Sequence, residues 1–66
     1  MLFASCERSA RKSFNKGQAA FLTQKYQVAS NHFDDALSED PEMIQAWFKR
    51  GQSKFYLADY PGALSD

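Results

Sequence analysis

Trp47-Phe48-Lys49-Arg50-Gly51-Gln52-Ser53-Lys54-Phe55 has a partner upstream, Ser13-Phe14-Asn15-Lys16-Gly17-Gln18-Ala19-Ala20-Phe21. The two stretches lie 34 residues apart, and Phe14, Gly17, Gln18 and Phe21 recur as Phe48, Gly51, Gln52 and Phe55. Carried further, the same offset pairs Tyr26 with Tyr60 and Ala29 with Ala63. Lys16 and Arg50 agree in charge, and Ala19 and Ser53 agree in size. Six identities at one offset mark an internal repeat, whose unit is one supersecondary element that buries its apolar face by stacking on its neighbours.

Each unit reads as a pair of helices. Ala10, Phe14, Gly17 and Phe21 fall four, three and four residues apart, which predicts a helix from about residue 8 to 23. Tyr26, Ala29, Phe33, Ala36 and Leu37 give a second stripe over residues 26–38, and strict polar–apolar alternation, the mark of a strand, is absent. Asp40-Pro41-Glu42 has the composition of a helix start, with a cap, a proline and an acid at the positive end of the dipole. A third helix is therefore expected from about Pro41 to Leu57, with Asp59 capping a fourth near Tyr60. Glycine inside a helix costs about 1 kcal/mol relative to alanine. Gly17 and Gly51 at one register therefore predict close helix approach, with Tyr26 or Phe33 filling the space beside Gly17.

With 66 residues the chain is one small unit, and a unit this size buries only about 60% of the surface its unfolded form exposes. Cys6 is its one cysteine and His32 its one histidine, so neither a disulfide nor a metal site is expected. No cofactor is expected either, and Cys6 with His32 would be the only dyad available to a catalyst. A free thiol suits a reducing compartment, hence the cytoplasm.

The eight basic and eight acidic side chains cancel, whereas a nucleic-acid binder shows a basic excess. They are nevertheless segregated. Arg8, Arg11, Lys12, Lys16 and Lys25 form a basic stretch without an acid, and Asp34, Asp35, Glu39, Asp40 and Glu42 an acidic stretch without a base. These read either as solvated helix faces or as two electrostatic faces that orient a partner. No stretch approaches the ~20 apolar residues of a membrane span.

The pattern resembles the tetratricopeptide repeat, a 34-residue helix pair with a glycine in its first helix and Tyr, Ala, Phe, Ala and Pro following. Gly17, Tyr26, Ala29, Phe33, Ala36 and Pro41 match it in a repeat spanning residues 10–43. Trp47, Gly51, Tyr60 and Ala63 match it in an incomplete one spanning 44–66, and residues 1–9 precede as an extension of the first helix. Departures are Ser13 for the tryptophan, Lys16 and Arg50 for leucine, and Ala20 and Lys54 for tyrosine.

The resemblance implies an all-α protein, its antiparallel helix pairs stacked as a right-handed α-solenoid. It also implies that Trp47 is a core residue. The function implied is that of a protein-interaction module, whose first helices line a groove for a peptide or helix of a partner. By position the groove comprises Arg11, Phe14, Gln18, Phe21 and Leu22, then Gln45, Phe48, Gln52, Phe55 and Tyr56. Phe14 and Phe48 would form an aromatic ladder beside the amides of Gln18 and Gln52. The chain is also similar to co-chaperone adaptor repeats, which grip the acidic C-terminal tail of a heat-shock chaperone. Asn15 and Lys49 occupy clamp positions there, while Gln45 stands where the clamp lysine would be. The alternative is an assembly unit that completes its core as a homodimer or oligomer, through an edge made by Tyr56, Leu57, Tyr60, Ala63 and Leu64.

Overall fold

The computed structural model describes the backbone of residues 2–59 and the side chains of residues 8–58. Three helices follow one another, α1 (Leu2–Leu22), α2 (Tyr26–Glu39) and α3 (Ile44–Asp59), with no strand among the described residues. The all-α expectation holds at this level. The backbone of residues 2–9 is helical and continuous with the rest of α1. The fourth helix expected from Tyr60 lies outside the described residues.

The turn from α1 to α2 is a Schellman motif. Lys25 N–H donates to the Ala20 carbonyl (2.9 Å) and Gln24 N–H to that of Phe21 (3.0 Å), which satisfies two carbonyls at the helix end. The geometry requires a left-handed residue, and Gln24 takes it at φ 65°. The Thr23 hydroxyl donates to the carbonyls of Ala20 (3.0 Å) and Ala19 (3.2 Å). Lys25 then precedes α2 without a capping side-chain bond.

The second turn differs from expectation. Asp40 does not open α3. Its N–H donates to the Ala36 carbonyl (2.8 Å) and closes α2. Its carboxylate accepts from Glu42 N–H (3.2 Å) and its carbonyl from Met43 N–H (3.1 Å). The result is a local turn over Pro41 and Glu42, so α3 begins three residues later than Pro41, at Ile44. Aspartate bonding to the backbone two residues on competes with its role as a helix cap, and here the turn wins. Trp47 secures it by donating its indole N–H to the Pro41 carbonyl at 2.7 Å. That contact draws Trp47 over the turn and leaves it 51% exposed, which corrects its assignment to the core.

α2 lies between α1 and α3 and packs on both, while α1 and α3 meet along a narrow strip. Phe33 at its centre is fully buried and meets the Phe14 ring at 5.5 Å. Ala10, Ala20, Ala29, Ala36 and Leu37 complete the α1–α2 side. Burying one phenylalanine contributes about 1.5–3 kcal/mol, so Phe14 and Phe33 dominate a core otherwise made largely of alanine. Gly17 permits this packing. A Cβ there would lie 2.5, 2.7 and 2.9 Å from three atoms of the Phe33 ring. The expected close approach is real at Gly17, where Phe33 is the aromatic that fills the space, but it is not met at Gly51, where nothing among the described residues lies within 4 Å of such a Cβ.

Toward α2, α3 buries only the small residues Ala46 and Ser53. The Ser53 hydroxyl is satisfied by the Lys49 carbonyl at 2.9 Å. Arg50 Nε approaches Asp34 Oδ1 to 2.8 Å, an ion pair without hydrogen-bond alignment. Both partners are partly exposed, so it contributes little, about 0–1 kcal/mol.

Candidate functional site

α1 and α3 run side by side and enclose a shallow hollow of about 370 Å³. α1 supplies Arg11, Phe14 and Gln18, and α3 supplies Gln45, Phe48 and Lys49. Arg11, Phe14 and Gln18 step by three and four, and Gln45 stands three residues before Phe48 and four before Lys49, so each trio gathers on one side of its helix. Phe14 is 3% exposed, because its ring is spent on Phe33. It therefore forms a floor, whereas Phe48 at 63% is a wall. The two phenylalanines are not the equivalent rungs of a ladder that the repeat suggested.

The electrostatics of the hollow have one sign. Arg11 and Lys49 line it, and no acid does. Each cation is held by an aromatic face, the Arg11 guanidinium 5.4 Å from the Phe14 ring centre and Lys49 Nζ 4.9 Å from that of Phe21. Cation–π contacts of this kind are worth about 0.5–1 kcal/mol at exposed sites. They orient long side chains without consuming their charge. Arg11 Nη1 also donates to the side-chain amide oxygen Oε1 of Gln45 at 3.4 Å, a bond that joins the two helices across the hollow.

Of the residues read from the sequence, Arg11, Phe14, Gln18, Phe48 and Lys49 therefore share one site. Asn15 and Gln52 do not. Asn15 is exposed on α1 but does not line the hollow. Gln52 belongs to a neighbouring depression of about 480 Å³ with Trp47, Phe48, Gly51, Phe55 and Tyr56. Its side-chain amide oxygen Oε1 is buried and without a hydrogen-bond partner among the described residues. Gln18 and Gln52 thus line different depressions. Trp47 and its depression were missed because a large aromatic in a helical stripe is usually core.

Phe21, Tyr26 and Tyr56 close one end of the α1–α3 strip. Tyr56 stacks on Tyr26 (4.9 Å, 20°) and meets Phe21 edge-on at 5.8 Å. Leu22, also assigned to the groove, projects at the end of α1 and is 80% exposed. Of the proposed assembly edge, Tyr56 and Leu57 are half-buried, and Tyr60, Ala63 and Leu64 lie outside the described residues. The side chain of Cys6 lies outside the described side chains as well, so the Cys6–His32 pair is not placed.

Among the described residues, no three His, Cys, Asp or Glu side chains gather as metal ligands would. No helix among them is long and apolar enough to cross a membrane. Compared with family models, with curated proteins and with solved structures, the chain matches none.

Proposed function

We propose that this chain is a protein-interaction module of the tetratricopeptide type, its helix pairs stacking as a right-handed α-solenoid. In this reading the hollow between α1 and α3 receives an acidic segment of a partner protein. The observation that carries the reading is the lining, in which Arg11 on α1 and Lys49 on α3 each rest against an aromatic ring and no acid lines the hollow, Asp40 and Glu42 bordering Arg11 only in the adjoining depression. Lys49 and Arg11 meet a carboxylate. Gln18 and Gln45 offer amides that both donate and accept, as an extended backbone requires. Phe48 gives an apolar side chain of the segment a surface to bury. A shallow hollow of about 370 Å³ has room for side chains of a peptide. The acidic C-terminal tail of a heat-shock chaperone is a ligand of this chemistry, which makes a cytoplasmic co-chaperone adaptor the specific form of the proposal.

The test is fluorescence anisotropy of a labelled acidic peptide that ends in a free carboxylate, titrated with the chain. Lys49→Glu replaces an attraction by a repulsion and should weaken binding about tenfold, equivalent to about 1.4 kcal/mol. Raising salt should weaken the parent complex and leave the variant less affected. Unchanged affinity in both Lys49→Glu and Arg11→Glu would sink the proposal.

A further inference from the structure

The two cations of the α1–α3 hollow do not act on one point. α1 and α3 run in the same direction, since Arg11 meets Gln45 near one end of their strip and Phe21 meets Tyr56 near the other. The Arg11 guanidinium rests 5.4 Å from the centre of the Phe14 ring, and Lys49 Nζ rests 4.9 Å from that of Phe21. Those rings belong to residues seven apart on α1, which is about 10 Å along the helix axis. Gln45, which accepts from Arg11, stands four residues before Lys49 and gives the same order along α3. At such a separation a single carboxylate meets one cation and not both. Asp40 and Glu42 border Arg11 in the adjoining depression, so the stretch that accepts anions ends there.

The separation sets a spacing in the ligand. An extended peptide advances about 3.4 Å per residue and turns successive side chains to opposite sides. Two residues therefore cover about 7 Å, three about 10 Å and four about 14 Å. The three-residue step matches the rings that hold the cations. Parity agrees with length. Arg11 and Lys49 rise from opposite walls of the hollow, and side chains three residues apart leave an extended backbone on opposite sides. Phe48 directly precedes Lys49 on the α3 wall and is largely exposed, so it meets the side chain two residues from the acid on Lys49.

We infer that the hollow selects an extended segment with two acidic side chains three residues apart, one for Arg11 and one for Lys49, and that it requires no terminal carboxylate. The inference rests on the acidic-segment reading and narrows it, since a segment inside a partner chain serves as well as a chain end.

The test is fluorescence anisotropy of the full chain with labelled, C-terminally amidated peptides of one composition. Their two glutamates stand two, three or four residues apart. The three-residue peptide should bind about fivefold more tightly than either of the others. Lys49→Glu and Arg11→Glu should each weaken it. A lysine at one glutamate should restore binding to one variant, and a lysine at the other glutamate should restore the other. Equal affinity for all three spacings overturns the inference and leaves the acidic-segment reading standing. So does rescue of both variants by the same lysine. Binding only by peptides with a free terminal carboxylate overturns it too, in favour of a chain end held at one cation. If no acidic peptide binds, amidated or free, the acidic-segment reading falls with it.

Discussion

Replacing Gly17 and Gly51 by alanine, one at a time, applies one chemical change at one register of the repeat and should give opposite results. Each substitution removes the helix cost of glycine, about 1 kcal/mol. At Gly51 nothing among the described residues opposes the gain. Gly51→Ala should therefore stabilise the chain by about 1 kcal/mol and raise its Tm by about 4–8 °C. At Gly17 the new methyl would lie 2.5–2.9 Å from three ring atoms of Phe33. That ring is fully buried and meets Phe14 at 5.5 Å, so it has little room to swing aside. Overpacking of this sort costs about 1–3 kcal/mol and occasionally more. Set against the propensity gain, Gly17→Ala should lose up to about 2 kcal/mol, a large share of the few kcal/mol that a chain of this size commands. Urea unfolding followed by helical circular dichroism measures both variants against the parent. If Gly17→Ala proves as stable as the parent or more so, the tight seat of Phe33 on α1 is wrong. If Gly51→Ala destabilises, a neighbour already covers Gly51 in solution.

The turns and caps give three further expectations. Gln24 holds a left-handed conformation that suits glycine, so Gln24→Gly should stabilise by about 1 kcal/mol in the same unfolding assay. Lys25 puts an uncapped cation at the positive end of α2, and Lys25→Asp should gain about 1 kcal/mol through a cap bond and the helix dipole. This gain should shrink when the aspartate is protonated at low pH. Trp47→Phe removes the donor to the Pro41 carbonyl and should cost about 0.5–1.5 kcal/mol, with faster amide exchange over residues 41–43 as the local readout.

The 34-residue offset made the helices and the Gly17–Phe33 seat legible, because both rest on periodicity and on glycine's missing side chain. It did not say which copy of the pattern is covered. Phe14 and Phe48 are the same residue at the same register, yet one is floor and the other wall, because α2 lies over the first. Trp47 misled for the same reason. α3 turns Ala46 and Ser53, not its indole, toward α2. The Asp40-Pro41 pair was ambiguous in principle, since one side chain serves equally as helix cap and turn former. The indole six residues on, which no local rule weighs, secures the turn. Gln24 gave no signal, because a left-handed helix end normally announces itself with glycine. In the site, Arg11 and Lys49 were visible as charges. Their tethering to Phe14 and Phe21 depends on how α1 and α3 lie, which only the fold supplies.

The position of α2 between its two neighbours also bears on how the chain assembles and opens. Its contacts run to the helix just before it and the helix just after it, and little joins α1 directly to α3. Short turns therefore close almost every contact, so little chain entropy is lost before packing is gained, and folding belongs with fast, low-contact-order helical domains. In the reverse direction α3 is free to detach from α2 without parting Phe33 from Phe14 and Gly17 of α1. α1 has no such freedom, because losing it removes Phe14 from Phe33. Native-state hydrogen exchange should resolve this as a hierarchy, with the amides of α3 opening in a partial event of low free energy and those of α2 exchanging only through global unfolding.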